Sequence, residues 1–276
     1  MIFLFVATEM DRWTDRVVLV TEASSEIGQS IVAELSKYPL KIVAVAQEIV
    51  LIQKLSNKLQ SSLAKIYPVQ CDLTRESEIV NLFKWIETTI GQGVSVTINN
   101  ANTSMKSKIL GVRKNHVFVS DGETNDWRYL FDLNVIAVTT CCRESYKSMN
   151  KYDIADGHII NINSTAGYSM LPFPGEKVYN SSKTALTYLT EGLRHELFYD
   201  GSKIKVTSIN LGKVNSEAVG SVGENKKSIL SMNPERVATM VIVALTQPAD
   251  IVIGELTVLS VGETIQAYPP PNIIIK

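Results

Sequence analysis

The chain has 276 residues with 27 basic and 28 acidic side chains, which gives a net charge of −1. So small a net charge offers no electrostatic footprint for nucleic acid or for an anionic membrane, and we expect neither as a partner. The length suits one large α/β domain rather than several domains.

Residues 1–9 are predicted to be an N-terminal extension with little structural role. Residues 1–7 are apolar but follow no basic segment, are at the short limit for a signal sequence, and are far too few to cross a bilayer. No other stretch approaches about 18 uninterrupted apolar residues, so no membrane span is predicted. We therefore expect a single domain over residues 10–276.

Strand and helix patterns alternate along that domain. Short runs rich in β-branched residues predict strands at 16–21, 41–46, 65–70, 94–99, 157–163, 203–210 and 255–260. Helical spacing of apolar residues predicts helices at 25–38, 48–63, 75–90, 124–150, 176–199 and 234–245. This alternation indicates βαβ units, and hence an α/β fold with a doubly wound parallel sheet of the Rossmann type.

The cysteines and histidines predict neither a disulfide framework nor a metal site. Cys71, Cys141 and Cys142 are an odd, sparse set, which fits a reducing compartment such as the cytoplasm. The three histidines show no metal-ligand spacing with one another or with the cysteines, and we expect no metal.

Tyr179 and Lys183 carry the clearest chemical signal. Four residues are about one helical turn, so both side chains share one face of the helix predicted at 176–199. A nearby ammonium favours the phenolate and is expected to lower the tyrosine pKa from about 10. Ser164, fifteen residues upstream of the tyrosine, offers a hydroxyl that can hold a substrate oxygen. Together these groups are suited to interconverting an alcohol and a carbonyl.

Each group also has a plainer interpretation when it is taken alone. Ser164 can be a hydroxyl that caps a strand end, and Lys183 can be a solvated charge on a helix. Asn134, in the helix predicted at 124–150, can be an ordinary buried polar group.

The order of several motifs resembles the short-chain dehydrogenase/reductase superfamily. The first strand–helix junction, Thr-Glu-Ala-Ser-Ser-Glu-Ile-Gly at 21–28, resembles that family's Thr-Gly-x-x-x-Gly-x-Gly phosphate loop. Further matches are Cys-Asp-Leu-Thr at 71–74, Asn-Asn-Ala at 99–101, Phe-Asp-Leu-Asn-Val at 131–135, Asn-Ile-Asn-Ser-Thr-Ala-Gly at 161–167 and Tyr-Asn-Ser-Ser-Lys at 179–183. Met-Asp-Arg-Trp at 10–13, residues 189–197 and Gly-Glu-Leu-Thr-Val at 254–258 are similar to the farnesol-dehydrogenase-like branch.

The resemblance implies a role for each residue of a catalytic set. Tyr179 is the implied general acid/base, and Lys183 is implied to lower its pKa and to hold ribose hydroxyls. Ser164 is implied to orient the substrate oxygen, and Asn134 to support a proton relay. The implied contacts with a nicotinamide cofactor, NAD(P), are Thr21, Ser24, Ile27, Gly28, Asp72, Leu73, Asn100, Ala101, Tyr179, Lys183, Gly212 and Val214.

The resemblance also implies a substrate class and an oligomeric state. The expected substrate is a small alcohol or carbonyl compound, with an apolar alcohol of isoprenoid or steroid type as its class. The family pairs the helices that correspond to 124–150 and 176–199, so a homodimer or homotetramer is expected.

The phosphate loop departs from the family pattern because Glu22 and Glu26 replace two of its three glycines. A glutamate with positive φ costs about 1–2 kcal/mol of backbone strain. A carboxylate about 4 Å from a phosphate near a surface is repelled by about 4 kcal/mol. Cofactor binding is therefore in doubt if these carboxylates face the cofactor, and little affected if they turn to solvent; the sequence leaves both directions open.

Further departures lie at positions that the family uses for its cofactor. Residues 46–48 carry no arginine for a 2′-phosphate, and Glu48 would repel one. Asn102 replaces a glycine after the Asn-Asn-Ala motif, and Leu211 replaces a proline. Two functions follow as hypotheses: an alcohol/carbonyl oxidoreductase, favoured by the intact catalytic set, and a degenerate member that binds a ligand or partner, favoured by the glutamates.

Overall fold

The computed structural model describes residues 9–109, 122–170, 175–215 and 231–265. Residues 1–8 of the predicted extension lie outside these ranges. One sheet has the strand order β3-β2-β1-β4-β5-β6-β7, and all six neighbouring pairs are parallel. The strands are β1 (Val17–Val20), β2 (Lys41–Ala46), β3 (Lys65–Gln70), β4 (Val94–Asn99), β5 (His158–Ser164), β6 (Lys205–Leu211) and β7 (Glu255–Val258).

Seven α-helices connect or follow these strands in the described part of the chain. They are α1 (Glu26–Leu35), α2 (Ile49–Lys58), α3 (Glu76–Thr89), α4 (Thr124–Phe131), α5 (Val138–Lys151), α6 (Lys177–Tyr199) and α7 (Pro234–Leu245). Short 3₁₀ turns lie at Asp11–Trp13 and Thr165–Gly167. The predicted single α/β domain with a doubly wound parallel sheet is confirmed.

Helices cover both faces of the sheet, so its central strands are buried along their whole length. All residues of β1, β4 and β6 are buried. One core cluster packs α1 and α7 on one face, with Ile31 and Val241 among its members. On the other face α3, α5 and α6 pack through residues such as Phe83, Met149 and Leu186. Burial of this kind contributes about 25 cal/mol per Å² of apolar surface removed from water.

Two predicted helix spans differ from the observed ones. The helix predicted at 48–63 ends at Lys58, because the N–H groups of Leu63 and Ala64 donate instead to the Ser36 carbonyl at 3.1 and 3.2 Å. The helix predicted at 124–150 is divided into α4 and α5 by a π-helical segment, Asp132–Ala137. Such π turns occur often at functional sites, and this one contains Asn134.

The strand order reverses between β1 and β4. From β1 the chain builds outward to β2 and β3, and from β4 it builds in the opposite direction to β7. In open parallel sheets the crevice outside the carboxyl ends of strands at such a reversal is where ligands bind. The loops that follow β1 and β4 therefore form the walls of the candidate site.

Within the described part of the chain, no helix has the length and apolar character needed to cross a membrane. No group of histidine, cysteine, aspartate or glutamate residues within it is arranged to hold a metal ion.

The outer face of α5 and α6 carries an open apolar groove of about 460 Å³. Leu189 and Leu193 of α6 line it together with Val138 of α5, and Tyr188 beside them is 77% exposed. Contiguous exposed apolar surface of this kind marks interfaces between proteins.

We expect a homodimer or homotetramer that buries this groove. Leu189→Arg places a charge in the groove and should lower the molecular mass measured by light scattering at micromolar concentration. Leu63→Arg makes the same change at a leucine between α2 and β3 that is 68% exposed, against 41% for Leu189, and it should leave the mass unchanged. A monomeric mass for the unmodified protein would contradict the expectation.

Candidate active site

Tyr179 and Lys183 lie one turn apart on α6, as their spacing predicts. Both side chains are buried, with 8% and 1% of their surface exposed. The Lys183 ammonium lies 5.9 Å from the centroid of the tyrosine ring. The tyrosine packs in a small apolar cluster with Leu130 of α4 and Ala166. A buried lysine and a buried phenol are thus held together at the edge of the sheet where β5 and β6 end.

Ser164 reaches the tyrosine from the last position of β5. Its hydroxyl accepts a hydrogen bond from Ala166 N at 3.1 Å and donates to the Leu211 carbonyl at 3.3 Å. Its hydroxyl also acts on the Tyr179 phenol, whose pKa it lowers. The structure therefore brings together Ser164, Tyr179 and Lys183, which sequence analysis selected as one set.

Asn134 braces the loop after β4 against α6. Its Oδ1 accepts from Thr103 N at 2.8 Å, while its Nδ2 donates to the Thr103 carbonyl at 2.9 Å and to Ser182 Oγ at 3.1 Å. Its side-chain amide is thus engaged in positioning Thr103 and Ser182, the residue before the buried lysine. The predicted role of Asn134 in a proton relay stays a prediction.

Burial dominates the pKa of both acid–base groups. It raises the pKa of Tyr179 to about 12, with a smaller increase from Glu176, while hydrogen bonds from Ser164 and Asn102 oppose it. This is opposite to the lowering that we expected from the adjacent ammonium, because loss of hydration is the largest influence on this buried phenol. Burial also lowers the pKa of Lys183 to about 8, and Glu22 opposes that shift. At neutral pH the phenol therefore carries its proton and can donate it.

The two glutamates of the phosphate loop point in different directions. Glu22 follows β1 with a φ of 49°, a conformation that favours glycine, and its Oε2 accepts from Asn102 N at 2.6 Å. Burial raises the pKa of Glu22 to about 7, although the Asn102 hydrogen bond and the charge of Lys183 lower it. Glu26 is the first residue of α1 and is exposed. Glu22 alone of the two is directed into the crevice.

Several predicted cofactor contacts instead hold the walls of the crevice together. Thr21 Oγ1 accepts from Asn100 N at 2.9 Å and from Ala101 N at 3.1 Å. The Asn100 side chain donates back to the carbonyls of Thr21 and Glu22, both at 3.1 Å. Thr21, Asn100 and Ala101 are buried, so they fix the spacing of the β1 and β4 loops.

Sequence analysis missed Ser25, the N-cap of α1. Its Oγ accepts from Gly28 N at 3.1 Å and donates to the Glu22 carbonyl at 2.9 Å. A serine directly before a helix is a recognised capping signal, and it marks this residue in the sequence. The predicted Ser24 contributes its carbonyl to Gln29 Nε2 at 2.7 Å.

The predicted Ile27 and Gly28 lie in the first turn of α1. Ile27 packs on the apolar core, half-buried. A Cβ on Gly28 would lie only 2.3 Å from the Glu22 carbonyl oxygen and 2.7 Å from Ala23 Cα. No other residue fits there without a shift of backbone, so this remaining glycine brings α1 close to the β1 loop.

The remaining predicted contacts lie at the ends of β3 and β6. Asp72 Oδ1 accepts from Thr74 N at 3.0 Å and closes the turn after β3, and the adjacent Leu73 is buried. Gly212 N donates to the Val258 carbonyl at 2.8 Å, and Val214 is paired with Met232 in an isolated bridge.

Glu263 also lies at the end of β6, and no sequence pattern had indicated it. Its carboxylate packs against Gly212 and accepts from Lys213 N at 2.8 Å and from Ser260 N at 3.0 Å.

Most of the groups that line the crevice suit a nicotinamide dinucleotide, and one of them would repel its phosphates. The N-terminus of α1 offers backbone N–H groups and a positive dipole end to phosphates. Buried Lys183 offers an ammonium for ribose hydroxyls. Asn102 Oδ1 is buried without a hydrogen-bond partner among the described residues, so it is free to accept one. The ionised carboxylate of Glu22 is the group that opposes a diphosphate.

Comparisons with known proteins agree with this geometry. A model of the family described as short chain dehydrogenase matches residues 16–227. Dehydrogenase/reductase SDR family member 11 of Gallus gallus is 38% identical over 257 residues, covering 90% of this chain and 96% of that protein. Farnesol dehydrogenase of Aedes aegypti is 36% identical over 256 residues, covering 92% of this chain and 99% of that protein.

Solved structures share the fold at lower identity. An alcohol dehydrogenase from the archaeon Thermococcus sibiricus, complexed with 5-hydroxy-NADP, superposes with a TM-score of 0.76 at 18% identity. That match covers 90% of this chain and 98% of the archaeal one. A dehydrogenase/reductase from Sinorhizobium meliloti 1021 gives a TM-score of 0.78 at 17% identity, covering 94% of this chain and 98% of that one.

Glu22→Gln should stabilise the fold at alkaline pH, since it keeps an acceptor for Asn102 N without a charge. The pKa of Glu22 is raised from 4.5 to about 7 in the folded chain. The stability that this carboxyl contributes is therefore complete below pH 4.5 and is lost as the pH rises through about 7. At pH 8 the free energy of unfolding of the variant should exceed that of the wild type by about 1–3 kcal/mol, at about 1.4 kcal/mol per pK unit. At pH 5 the difference should be small.

Urea denaturation at pH 5 and pH 8 measures this difference. Glu26→Gln is the matched control, because it makes the same change at the exposed start of α1. An equal gain for Glu22→Gln at both pH values would show that the carboxyl does not titrate in this range.

Proposed function

The chain belongs to the short-chain dehydrogenase family, and we propose that it interconverts a carbonyl compound and an alcohol with a nicotinamide cofactor. The observation that carries the proposal is the meeting of Ser164, Tyr179 and Lys183 at the carboxyl end of the sheet. Three separate requirements are met there: a hydroxyl to hold the substrate oxygen, a phenol to exchange its proton, and a buried cation beside the phenol.

In the reducing direction the substrate carbonyl oxygen binds between Ser164 Oγ and Tyr179 Oη. A nicotinamide cofactor, when bound, would supply the hydride that the carbonyl carbon accepts. Tyr179 donates its proton to the oxygen on which negative charge develops, and Ser164 stabilises that charge by hydrogen bonding. Because burial keeps the phenol protonated, with a pKa of about 12, this geometry supports carbonyl reduction at neutral pH.

Lys183 and Asn134 support this step from behind the tyrosine. The ammonium stabilises the phenolate as the proton leaves, and it would hold the ribose hydroxyls of a bound cofactor. Asn134 keeps Ser182 and the Thr103 backbone in place around it. NADH is the favoured form of the cofactor, since Glu48 is exposed after β2 and residues 46–48 lack an arginine for a 2′-phosphate.

The substrate class is an apolar alcohol or carbonyl compound of isoprenoid or steroid type. The similarity to the Aedes aegypti protein named farnesol dehydrogenase supports this choice. The cytoplasm is the proposed location, because Cys71, Cys141 and Cys142 are all free thiols in buried positions.

Tyr179→Phe removes the proton donor and keeps the ring that packs against Leu130 and Ala166. We expect turnover with an apolar carbonyl substrate and NADH to fall by at least about 10²-fold, the usual scale for a general acid. The thermal midpoint and the Kd for NADH should stay close to those of the wild type. Unchanged turnover would show that another group supplies the proton.

A second function is supported by the partly buried carboxylate of Glu22. Where a relative offers backbone to a diphosphate, this chain presents a carboxylate in the crevice. If that carboxylate stays ionised, the chain binds the cofactor weakly and acts as a ligand-binding or interaction protein with a catalytic set that it does not use.

The two glutamates provide the test of this alternative. Glu22→Gly should tighten NADH binding by at least about tenfold, or about 1.4 kcal/mol, since it removes the like-charge repulsion between the carboxylate and the diphosphate. Glu26→Gly should change it little, because that side chain is exposed. Low-micromolar binding by the wild type that neither change improves would exclude the alternative.

A further inference from the structure

The carboxylate of Glu22 spans the crevice between the walls of the candidate site. Glu22 lies two residues after β1 and Asn102 lies three residues after β4, and the strand order reverses between these two strands. The 2.6 Å hydrogen bond from Asn102 N to Glu22 Oε2 therefore joins the two loops between which a ligand has to lie at such a reversal.

The backbone of Glu22 is fixed, so its side chain cannot leave by a simple movement of the loop. Its carbonyl accepts three hydrogen bonds: from Ser25 N at 3.1 Å, Ser25 Oγ at 2.9 Å and Asn100 Nδ2 at 3.1 Å. The Cβ of any residue at Gly28 would collide with the same carbonyl, which shows how closely α1 is packed there. With the backbone held, the Cα–Cβ bond stays directed toward the crevice.

The groups around this carboxylate come from each wall. Lys183 of α6 is the cation that acts on it, and Tyr179 beside the lysine is a protonated phenol at neutral pH. Glu26 stands exposed at the start of α1. Asp72, at the end of β3, is held by Thr74 and faces Arg75 across 3.5 Å. Among the described residues, Lys183 is the cation whose charge acts on Glu22, and a diphosphate would add negative charge beside that carboxyl.

We propose that this chain binds a nicotinamide dinucleotide with Glu22 protonated, so that binding takes up one proton and weakens as the pH rises above neutrality. The inference rests on the proposed function, because it assumes that the crevice accepts this cofactor. A neutral carboxyl can keep Asn102 N as a hydrogen-bond donor to its carbonyl oxygen and present its own O–H to a phosphate oxygen. The glutamate that replaces the glycine would therefore bind phosphate when its carboxyl is protonated and repel it when the carboxyl is ionised.

The direction in which affinity changes with pH follows from the two protonation states of the Glu22 carboxyl. In the free protein the pKa of Glu22 is about 7, because burial outweighs the hydrogen bond and the lysine. Bound phosphates raise that pKa further by like-charge repulsion. Affinity is therefore highest below pH 7 and falls as the pH rises, by up to about tenfold per pH unit, until the carboxyl of the complex also ionises.

Fluorescence titration of the full chain with NADH at pH 6, 7 and 8 tests the proposal. The wild type should bind up to about tenfold more weakly at pH 8 than at pH 6. Glu22→Gln mimics the protonated carboxyl, so it should match the wild type at pH 6 and bind up to about tenfold more tightly than the wild type at pH 8. Glu26→Gln removes the same charge at an exposed position, and should show the pH dependence of the wild type.

Calorimetry of NADH binding at pH 7.5 in two buffers of different ionisation enthalpy measures the proton directly. The wild type should take up a proton, and Glu22→Gln should take up fewer. The buried Lys183 also loses charge near pH 8, but that loss persists in the variant and cannot produce a gain of affinity that appears only at alkaline pH.

Three results would overturn the inference: wild-type affinity that is equal at pH 6 and pH 8, affinity that tightens as the pH rises, or a gain in Glu22→Gln that is the same at every pH. Tightening would mean that binding expels an ionised Glu22 and releases a proton. If neither protein binds NADH at any pH, the oxidoreductase proposal fails as well, whereas normal binding without pH dependence rejects only the proton linkage.

Discussion

The site depends on the hydrogen-bonded junction between the carboxyl ends of β1 and β4. Thr21 receives the N–H groups of Asn100 and Ala101, and the Asn100 side chain returns hydrogen bonds to the β1 loop. Because all three residues are buried, breaking one partner would leave polar groups without hydration, which costs about 1–3 kcal/mol each. The junction fixes the width of the crevice, the start of α1 and the position of Glu22 opposite Asn102.

Within this frame, burial rather than pairing sets the charge of the site. Removal from water is the largest influence on Tyr179, Lys183 and Glu22 alike, and it moves all three toward their neutral forms. Attraction between the lysine and Glu22 opposes that shift for both residues without cancelling it. The site therefore combines a firmly protonated phenol with a lysine and a carboxyl that titrate close to physiological pH.

The strands and helices could be predicted from the sequence because local apolar periodicity indicates each of them. The pairing of Tyr179 with Lys183 could be predicted because one helical turn fixes their distance. The sequence could not predict where Glu22 points, since that depends on the N–H of a residue 80 positions away in the chain. The role of Asn100 as a brace and the packing of Glu263 on Gly212 are likewise products of distant segments. Ser25 was legible as a helix cap from its neighbours alone.

The two replaced glycines differ in what the backbone demands of them. Glu26 has helical backbone in α1, so a side chain there is unstrained and leaves toward solvent. Glu22 keeps the positive φ for which glycine suits this turn, at a cost of about 1–2 kcal/mol, and it also buries an ionisable group. The hydrogen bond to Asn102 N offsets only part of that cost, about 1.5–3 kcal/mol for a charged acceptor. Glu22 thus combines a positive φ with the burial of an ionisable group, at the point where the fold forms its ligand crevice. Exceptions of this kind are expected at functional positions, and here the property that can change is the protonation state of the carboxyl.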